Sequence, residues 1–498
     1  MRMNNETVII SMTSYPKRIK TTRQVYDVIM NQKQKGDNVH FVLVLSEDEF
    51  PNKELDLPKN LQRGFKGEII WDKGNIKSHK KLIPTLEKYP KNPILVIDDD
   101  MTMKPGWLHE FLDMHKKYPD DIIYGQTSST VIVDDEGTIR EIRNFENTYM
   151  AGIRTINQKP ANGASGTLYP ANTFTSPIFF DRKVFMELSP TSDETWQYMF
   201  CVLGNKKYRS LQDNGICYYD IQTNQENCLA DVNKEKYTEI HNKLAEHFPQ
   251  YKKKLKQRLP GIIASMTTYG ERVKTCLPAI KSIIEQTLKP EKIIINISVP
   301  DLINVPKELQ ELAQKNIVDI IPVIDDWGVH DKWINAAKLY SDKCIFLFDD
   351  DVIYDSTLIQ RMYTWWQVNP GCVISTRCRI IAVDDSGKVA PCSVWPLYNQ
   401  EQGTTYRNFL PTNVGSVMIP PYVLEDAIDY DKIKEVLFDD DIYLKYIYNK
   451  HLVNVLYIDA DNQDIAVNGV QLSADMEGKI ERIKQFTDNN NIYFNSLT

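Results

Sequence analysis

Two stretches of this sequence decide its fold: Ile94-Leu95-Val96-Ile97-Asp98-Asp99-Asp100 and Ile345-Phe346-Leu347-Phe348-Asp349-Asp350-Asp351. Each begins with four apolar residues of β-branched, leucine or aromatic type, a run typical of a strand that is buried on both faces in the middle of a parallel sheet. Each ends in three carboxylates, which repel one another, raise each other's pKa and favour a bound cation. Ligands of open α/β sheets bind beyond the carboxyl ends of the strands, so we expect a binding site at this edge.

The composition is that of a globular protein with more than one domain. The chain has 498 residues, 42% of them hydrophobic, and a formal net charge of −8. A single hydrophobic core stops growing well below this length, so we expect two domains. The acidic balance argues against nucleic acid as the main ligand. No apolar run is long enough to span a bilayer, and we expect a cytoplasmic protein.

Strand and helix patterns alternate ahead of the first triplet. We expect strands at 8–15, 39–45, 68–71 and 93–97, helices at 21–31 and 80–88, and a loop with little regular structure at 47–67. Such alternation predicts βαβ units and a mostly parallel sheet. The predicted fold class is therefore α/β.

The same order of features recurs in the second half of the chain. Ser11-Met12-Thr13-Ser14-Tyr15 returns as Ser265-Met266-Thr267-Thr268-Tyr269, 254 positions later. The triplets are 251 positions apart, and Asp440-Asp441 follows Asp193-Glu194 by 247. A drifting offset with matches in one order indicates that a whole domain was duplicated.

The expected joint between the two domains is rich in lysine. We place the domains at 1–250 and 261–498, with a basic linker that contains Lys252-Lys253-Lys254 at 251–260. One interpretation is a patch for an anionic membrane surface or a lipid-linked phosphate, which would allow peripheral contact with the inner membrane. The other is the solvated last turn of a helix followed by a linker, because lysine complements the dipole at a helix C-terminus.

Each repeat carries four polar features, and the first two precede the triplet. The first is the turn after the opening strand, with Thr13, Tyr15 and Arg18 in one repeat and Thr267, Tyr269 and Arg272 in the other. This position commonly holds a nucleotide base and ribose, although serine and threonine are also ordinary turn formers. The second is a histidine followed two residues later by a lysine, Lys81 or Lys332. Such a lysine could bind a diphosphate through its point charge. The alternative is that it is an ordinary lysine on the surface.

The third feature is the triplet itself. Mg²⁺ and Mn²⁺ prefer oxygen ligands, typically one or two carboxylates with phosphate oxygens and water. On that chemistry the last aspartate of each triplet, Asp100 or Asp351, would bind the metal. The first, Asp98 or Asp349, would meet the ribose or a metal-bound water. Helix capping is the alternative, but it accounts for one carboxylate and not for three in both copies.

The fourth feature is the later acidic pair, Asp193-Glu194 or Asp440-Asp441. A carboxylate there could be the general base that accepts a proton from an acceptor hydroxyl. Acidic residues are also favoured in the first turn of a helix, which is the structural alternative. An aromatic residue follows the first carboxylate by three positions in both copies, and we expect this residue, Trp196 or Tyr443, to face a sugar.

This order of features resembles that of family-2-type glycosyltransferases with a GT-A fold, and most of all bacterial enzymes that build capsular or lipopolysaccharide glycans. The resemblance covers nearly the whole chain, once per repeat. It implies that the triplets, through Asp98, Asp99 and Asp100 or Asp349, Asp350 and Asp351, bind a nucleotide diphosphate sugar and a divalent metal. It also implies that a carboxylate of the later pair is the base of an inverting displacement. Glu194 in the first repeat and Tyr443 in the second depart from the usual residues.

The resemblance implies a bifunctional, Mn²⁺- or Mg²⁺-dependent glycosyltransferase that extends an oligosaccharide or a lipid-linked glycan. Two alternatives stay open from the sequence. In one, a single domain is active and its copy only binds or presents the glycan. In the other, the chain is a nucleotidyltransferase, which is disfavoured because no glycine-rich phosphate loop follows the first strand.

Overall fold

The computed structural model describes residues 6–125, 128–134, 136–144, 151–155, 158–160, 165–211, 218–220, 236–384, 386, 388–464 and 476–494. The chain divides into two compact units, unit 1 at 1–259 and unit 2 at 260–498. Within the described residues, no helix combines the length and the apolar character needed to cross a membrane.

Unit 1 is built around an eight-stranded sheet. In spatial order its strands are Glu68–Asp72, Val39–Ser46, Val8–Thr13, Ile94–Ile97, Thr167–Tyr169, Ile122–Tyr124, Tyr208–Ser210 and Arg154–Thr155. Six strands run in one direction, while Thr167–Tyr169 and Arg154–Thr155 run antiparallel to their neighbours. Smaller sheets join Gln158–Pro160, Ser128–Val133 and Ile139–Asn144, and pair Tyr218–Asp220 with Met101–Met103.

The helices of unit 1 follow the expected alternation with some differences. The α-helices are Thr22–Met30, Lys59–Gln62, Ile83–Lys88, Trp107–Lys117, Arg182–Leu188, Asp193–Leu203, Tyr237–His247 and Pro249–Gln257, and 3-10 turns occur at Lys53–Asp56, Lys77–Lys81 and Pro177–Phe180. The segment expected to be an irregular loop at 47–67 therefore holds two helical turns. The helix expected at 80–88 begins as a 3-10 turn and becomes α-helical at Ile83, where Pro84 is tolerated because first-turn amides need no partner.

The side chains of the central strands alternate between two cores. Ile94 and Val96 belong to one core, and Leu95 and Ile97 to the other. Helices cover both faces, which explains why the strand is apolar at every position. The sequence expectation of a doubly buried strand is confirmed. The sheet around this strand is not fully parallel, because Thr167–Tyr169 pairs with Ile94–Ile97 in the antiparallel direction.

Unit 2 repeats this strand order. Its main sheet runs Asp319–Val323, Lys292–Ser298, Ile262–Thr268, Cys344–Leu347, Val417–Ile419, Cys372–Ser375, Asn454–Tyr457 and Thr405–Tyr406. Two small sheets pair Val352–Ile353 with Gln463–Asp464, and join Leu397–Tyr398, Cys378–Ile380 and Phe409–Pro411. The predicted class, two tandem α/β units with mostly parallel sheets, is confirmed.

Helices flank the sheet of unit 2 as well. The α-helices are Leu277–Ile284, Lys307–Gln314, Asp331–Leu339, Leu358–Val368, Tyr430–Glu435, Asp440–Lys450, Met476–Asn489 and Asn491–Phe494, and 3-10 turns occur at Gly270–Lys274, Val299–Asn304, Gly328–His330 and Cys392–Val394. The helix Asp440–Lys450 occupies the place that Asp193–Leu203 has in unit 1.

The lysine-rich run at the expected joint belongs to a helix of unit 1. Pro249–Gln257 is helical, and its Tyr251 and Leu255 are buried in the core of that unit. Tyr251 shares a hydrogen bond of 2.8 Å with His241 Nδ1. These apolar residues are four positions apart and lie on one helix face, so the lysines occupy the solvated faces. Unit 1 therefore extends to Leu259 rather than ending at residue 250.

Candidate active site

The turn after the opening strand lies beside the first triplet. Met12 is paired with Ile97, so the two parallel strands end at the same edge of the sheet. Ser14 Oγ donates a hydrogen bond of 2.5 Å to Asp99, and Thr21 Oγ1 donates one of 2.8 Å to the Asp99 carbonyl. Strand pairing thus brings the first and third sequence features into contact.

Arg18 compensates part of the charge of the triplet. Its guanidinium lies 3.4 Å from Asp99 and is ion-paired with Asp100. Burial raises the pKa of Asp99 to about 6, although Arg18 and the hydrogen bond from Ser14 oppose the shift. Burial and the charge of Asp98 raise the pKa of Asp100 above its ordinary value. The triplet therefore carries more negative charge than one guanidinium neutralises.

Lys81 links the triplet to the later acidic pair. Its Nζ donates a hydrogen bond of 2.8 Å to Asp98 and lies 3.6 Å from Asp193. Burial acts to lower the pKa of Lys81, but the charges of Asp193 and Asp98 outweigh it and raise the pKa. Burial acts to raise the pKa of Asp193, but Lys81 and His79 outweigh it and lower the pKa. Both partners of this buried pair are therefore charged at neutral pH.

A cavity of about 390 Å³ opens beside these groups in unit 1. The residues predicted for binding or catalysis that line it are Thr13, Tyr15, Arg18, Lys81, Asp98, Asp99, Asp100, Asp193 and Glu194. The fold thus gathers into one cavity residues that are as much as 181 positions apart in the chain. Within this set, Asp193 is buried, whereas Glu194 is only half-buried.

Trp196 is the exception, and the expectation that it faces a sugar is wrong. Its side chain is 0% exposed, and its Nε1 donates a hydrogen bond of 3.1 Å to the Phe179 carbonyl. The indole packs on Phe185 and Phe200. The helix Asp193–Leu203 is buried along almost its whole length. Only its acidic first turn reaches the cavity, and the aromatic residue one turn later belongs to the core.

Tyr443 requires the same correction in unit 2. Its side chain is 0% exposed, and its hydroxyl donates a hydrogen bond of 2.6 Å to the Ala427 carbonyl. The ring stacks on Trp333, with 5.6 Å between the ring centroids. An aromatic residue at this position therefore anchors the helix in both units and does not face a sugar.

Unit 2 repeats the lysine bridge. Lys332 is ion-paired with Asp349, and its Nζ lies 4.0 Å from Asp440. Burial acts to lower the pKa of Lys332, but Asp349 and Asp440 outweigh it and raise the pKa. Burial raises the pKa of Asp440, and Lys332 opposes this shift without reversing it. The distance between the lysine and the first carboxylate of the acidic pair is thus longer in unit 2, at 4.0 Å, than in unit 1, at 3.6 Å.

The arginine bridge is also repeated. Arg272 Nε donates a hydrogen bond of 3.0 Å to Asp350, and its Nη2 donates one of 2.8 Å to Asp351. Thr268 Oγ1 donates a hydrogen bond of 2.6 Å to Asp350, as Ser14 does to Asp99 in unit 1. Burial raises the pKa of Asp351 although Arg272 opposes it.

The predicted nucleoside residues flank the arginines. The Arg18 guanidinium lies 5.3 Å from the centroid of the Tyr15 ring. The Arg272 guanidinium lies 5.9 Å from the centroid of Tyr269, a side chain that is 41% exposed. Each ring is thus near the triplet and open to a ligand. The threonine hydroxyls, by contrast, donate to neighbouring strand carbonyls, Thr13 to Val44 at 2.8 Å and Thr267 to Asn296 at 3.2 Å.

Asn413 is a candidate that the sequence did not reveal. Its Nδ2 donates a hydrogen bond of 2.7 Å to Asp440, and its backbone amide donates one of 3.0 Å to Asp441. Burial and the charge of Asp440 raise the pKa of Asp441 well above its ordinary value. The one signal in the sequence was its position just before Gly415, in the segment that precedes the acidic helix. Its contact with that helix depends on tertiary packing.

The histidines of the two repeats hold the backbone rather than a ligand. His79 Nε2 donates a hydrogen bond of 2.9 Å to the Ser189 carbonyl, and His330 Nε2 donates one of 2.9 Å to the Val436 carbonyl. Burial lowers the pKa of both rings. Each ring thus ties the lysine segment to the chain that leads into the acidic helix, which orients Lys81 and Lys332.

The triplets suit a divalent cation that arrives with a substrate. Among the described residues, no group of three or more Asp, Glu, His or Cys side chains is arranged so that it could hold a metal ion. Mg²⁺ usually takes one or two carboxylates together with phosphate oxygens. Asp98 and Asp100 provide two carboxylates whose mutual repulsion a cation would relieve, and Asp98 is 33% exposed. These two carboxylates are the type of ligand that Mg²⁺ takes when it also binds a phosphate.

No protein-family model matches this chain, and no curated protein matches it in sequence. Solved structures that are similar to parts of it include the 4-diphosphocytidyl-2C-methyl-D-erythritol synthase of Anaerococcus prevotii, at 12% identity and a TM-score of 0.29, over 47% of this chain and 99% of that one. CMP:2-keto-3-deoxy-manno-octonic acid synthetase complexed with CTP is 12% identical, with a TM-score of 0.28, over 47% of this chain and 99% of that one.

A further similar structure is TarS residues 1–349 of S. aureus, at 12% identity and a TM-score of 0.33, over 51% of this chain and 71% of that one. The same TarS fragment in complex with UDP is 11% identical, with a TM-score of 0.31, over 46% of this chain and 66% of that one. At TM-scores this low, the similarity carries no conclusion about the chemistry of the site.

Proposed function

We propose that each unit is an inverting glycosyltransferase site that takes a nucleotide diphosphate sugar together with a divalent cation. The observation that carries the proposal is the charged network common to both units. In unit 1 it consists of five carboxylates and two cations: Asp98, Asp99, Asp100, Asp193, Glu194, Arg18 and Lys81. Within this network the carboxylates outnumber the cations, so a metal that entered with the diphosphate would balance the charge next to the triplet.

Mn²⁺ or Mg²⁺ would be held by Asp98 and Asp100 in unit 1, and by Asp349 and Asp351 in unit 2. When bound, such an ion supplies positive charge that stabilises the diphosphate leaving group. Asp100 would then be a ligand of the ion, and the neighbouring Arg18 guanidinium would bind the diphosphate as a planar donor.

The first turn and the lysine orient the donor. Tyr15 and Tyr269 offer open rings beside the triplet, where a nucleoside base can stack. Lys81 is buried between Asp98 and Asp193, so its ammonium group lies between the triplet and the later acidic pair. The site therefore binds the nucleotide at the turn and presents the sugar toward the acidic helix.

Glu194 is the proposed base in unit 1 and Asp441 in unit 2. Asp193 is held by Lys81, whereas the neighbouring Glu194 lines the cavity and is half-buried. The base accepts the proton of an acceptor hydroxyl, whose oxygen forms a bond to the anomeric carbon. The electron pair of the breaking bond leaves with the nucleoside diphosphate, so the anomeric configuration is inverted.

The two networks suggest that the chain adds two sugars to one growing glycan. The acceptor would be an oligosaccharide or a lipid-linked glycan of a bacterial surface polymer, as the sequence resemblance implies. In unit 2, Asn413 donates a hydrogen bond to each carboxylate of the acidic pair.

Release of nucleoside diphosphate from a panel of nucleotide diphosphate sugars with Mn²⁺ tests the activity. The full chain is compared with Asp100→Asn, with Asp351→Asn and with the double variant. Each single variant should lose one of two transfer activities, and the double variant should lose both. Loss of all transfer in one single variant and of none in the other would leave one catalytic site. Release of pyrophosphate from a nucleoside triphosphate and a sugar phosphate would instead establish nucleotidyl transfer.

A further inference from the structure

The two units differ in the charges around their common network. Three cationic residues that line the cavity of unit 1 are replaced in unit 2 by acidic or neutral residues: Lys17 by Glu271, Lys77 by Gly328 and Lys80 by Asp331. The offsets are 254 for the first pair and 251 for the other two, which are those of the flanking motifs. The common network is retained, so the change affects only its surroundings.

Backbone geometry establishes that Lys77 and Gly328 are equivalent. The Lys77 amide donates a hydrogen bond of 3.0 Å to Asn75 Oδ1, and the Gly328 amide donates one of 2.8 Å to Asp326 Oδ1. Lys77 has φ of 53° and Gly328 has φ of 61°, both in the left-handed region. The same turn thus carries a lysine in one unit and a glycine in the other.

Lysine is an unfavourable residue for this turn. The left-handed conformation costs a residue with a Cβ atom about 1 kcal/mol, while glycine adopts it freely. Unit 2 has the unstrained residue. Sparsely populated backbone conformations of this kind tend to cluster at functional sites. The ammonium of Lys77 at the cavity is therefore a candidate for a functional role.

Two of the three additional cations are available to a ligand. Lys80 is buried and ion-paired with Glu49, so its charge is already compensated. The side chains of Lys17 and Lys77 are exposed at the cavity. Within the part of the chain that the structure describes, neither of these two ammonium groups makes an ion pair. An anionic group in the cavity would find two uncompensated cations.

We propose that the cavity of unit 1 binds an acidic group in addition to the diphosphate, with Lys77 and Lys17 as the cations that meet it, whereas unit 2 takes an uncharged equivalent. This inference rests on the proposed function and names the class of substrate for one of its sites. The acidic group is a carboxylate on the donor sugar or a phosphate on the acceptor. At the positions of Lys17 and Lys77, unit 2 has Glu271, which is ion-paired with Lys274, and Gly328, so it offers no cation there to either group.

Binding to the Lys77→Gly variant of the full chain tests this inference. The probes are a uridine diphosphate uronate, the matching neutral uridine diphosphate hexose, and the neutral donor with glycerol phosphate, each with Mn²⁺ in a calorimeter. The variant should bind the uronate, or glycerol phosphate, roughly three- to tenfold more weakly at one of two sites. Its affinity for the neutral donor alone should be unchanged. Loss with the uronate assigns the donor carboxylate, and loss with glycerol phosphate assigns the acceptor.

Lys53→Gly is the matched control. Lys53 also has a positive φ, of 52°, but does not line the cavity. Glycine at this position removes the same unfavourable backbone conformation and leaves the site unchanged. Its binding constants should equal those of the wild-type chain. If Lys77→Gly lost the same affinity for neutral and acidic probes, or lost none, this inference would be wrong. The proposed function would still stand. If no nucleotide sugar binds the wild-type chain, the proposed function itself is wrong, and this inference with it.

Discussion

The ammonium group of Lys81 donates a hydrogen bond of 2.8 Å to the carboxylate of Asp98, which belongs to the triplet at the end of the fourth strand of unit 1. The same ammonium lies 3.6 Å from Asp193, at the start of the acidic helix. One buried cation therefore joins two acidic groups that are 95 positions apart. Lys332 makes the equivalent bridge in unit 2.

Replacing the bridging lysine, Lys81, should lower the stability of the folded site, whatever its effect on catalysis. In Lys81→Met, Asp98 and Asp193 lose their common cation, and a buried carboxylate without a partner costs about 3 kcal/mol. Urea unfolding followed by circular dichroism should show this loss. Lys81→Arg keeps the charge and should be affected less. Wild-type stability in Lys81→Met would mean that the bridge is not formed in solution.

The two carboxylates of the acidic pair should have separable roles. Glu194→Gln should lower kcat of the unit 1 transfer by about 10²-fold or more, because it removes the proton acceptor. The KM for the donor should change little. Asp193→Asn should mainly raise this KM, because Lys81 loses one of its two carboxylates. Steady-state kinetics of each variant separates the two effects, and the reverse pattern would make Asp193 the base.

Trp196 should matter for folding and not for sugar binding. Trp196→Phe removes the hydrogen bond to the Phe179 carbonyl and leaves a small cavity, so the free energy of unfolding should fall by about 1–3 kcal/mol. The KM values for donor and acceptor should stay those of the wild-type enzyme. Tyr443→Phe in unit 2 provides the parallel case, since it keeps the ring and loses the hydrogen bond of the hydroxyl to the Ala427 carbonyl. A raised acceptor KM in either variant would restore the sugar-facing interpretation.

Lys445 should make the stability of unit 2 depend on pH. It is completely buried, its Nζ donates a hydrogen bond of 2.5 Å to the Arg407 carbonyl, and burial lowers its pKa to about 7. The unfolded chain keeps this proton until the ordinary pKa of 10.5. The unfolded state thus binds more protons between these values, and this residue makes stability rise as pH increases from about 7 to about 10.

Lys445→Met should remove that dependence. At pH 6, where the buried ammonium is charged, the variant should be more stable than the wild-type chain by about 1–3 kcal/mol. The difference should shrink as the pH approaches 10. Urea titrations at several pH values measure it, with Lys450→Met on the same helix as the control for a less buried lysine. A difference that does not vary with pH would show that Lys445 keeps an ordinary pKa.

Much of the fold could be predicted because its signals are local. The apolar run of Ile94–Ile97 is buried on both faces, as its composition indicates. The duplication could be detected because short motifs such as Asp98-Asp99-Asp100 return in one order. The positions of the charged site residues followed from these motifs, since parallel strands end at one edge of the sheet.

The rest depended on which surfaces meet in the folded chain. The sequence by itself determined the strands, the repeat and the acidic character of the site, because each depends on neighbouring residues. The tertiary structure decided that Trp196 faces the core and that Asn413 meets the acidic pair. It also decided that Lys77 adopts a turn for which unit 2 uses glycine. These relationships join residues from different elements, and their geometry depends on how helices and strands pack against one another, which no local pattern specifies.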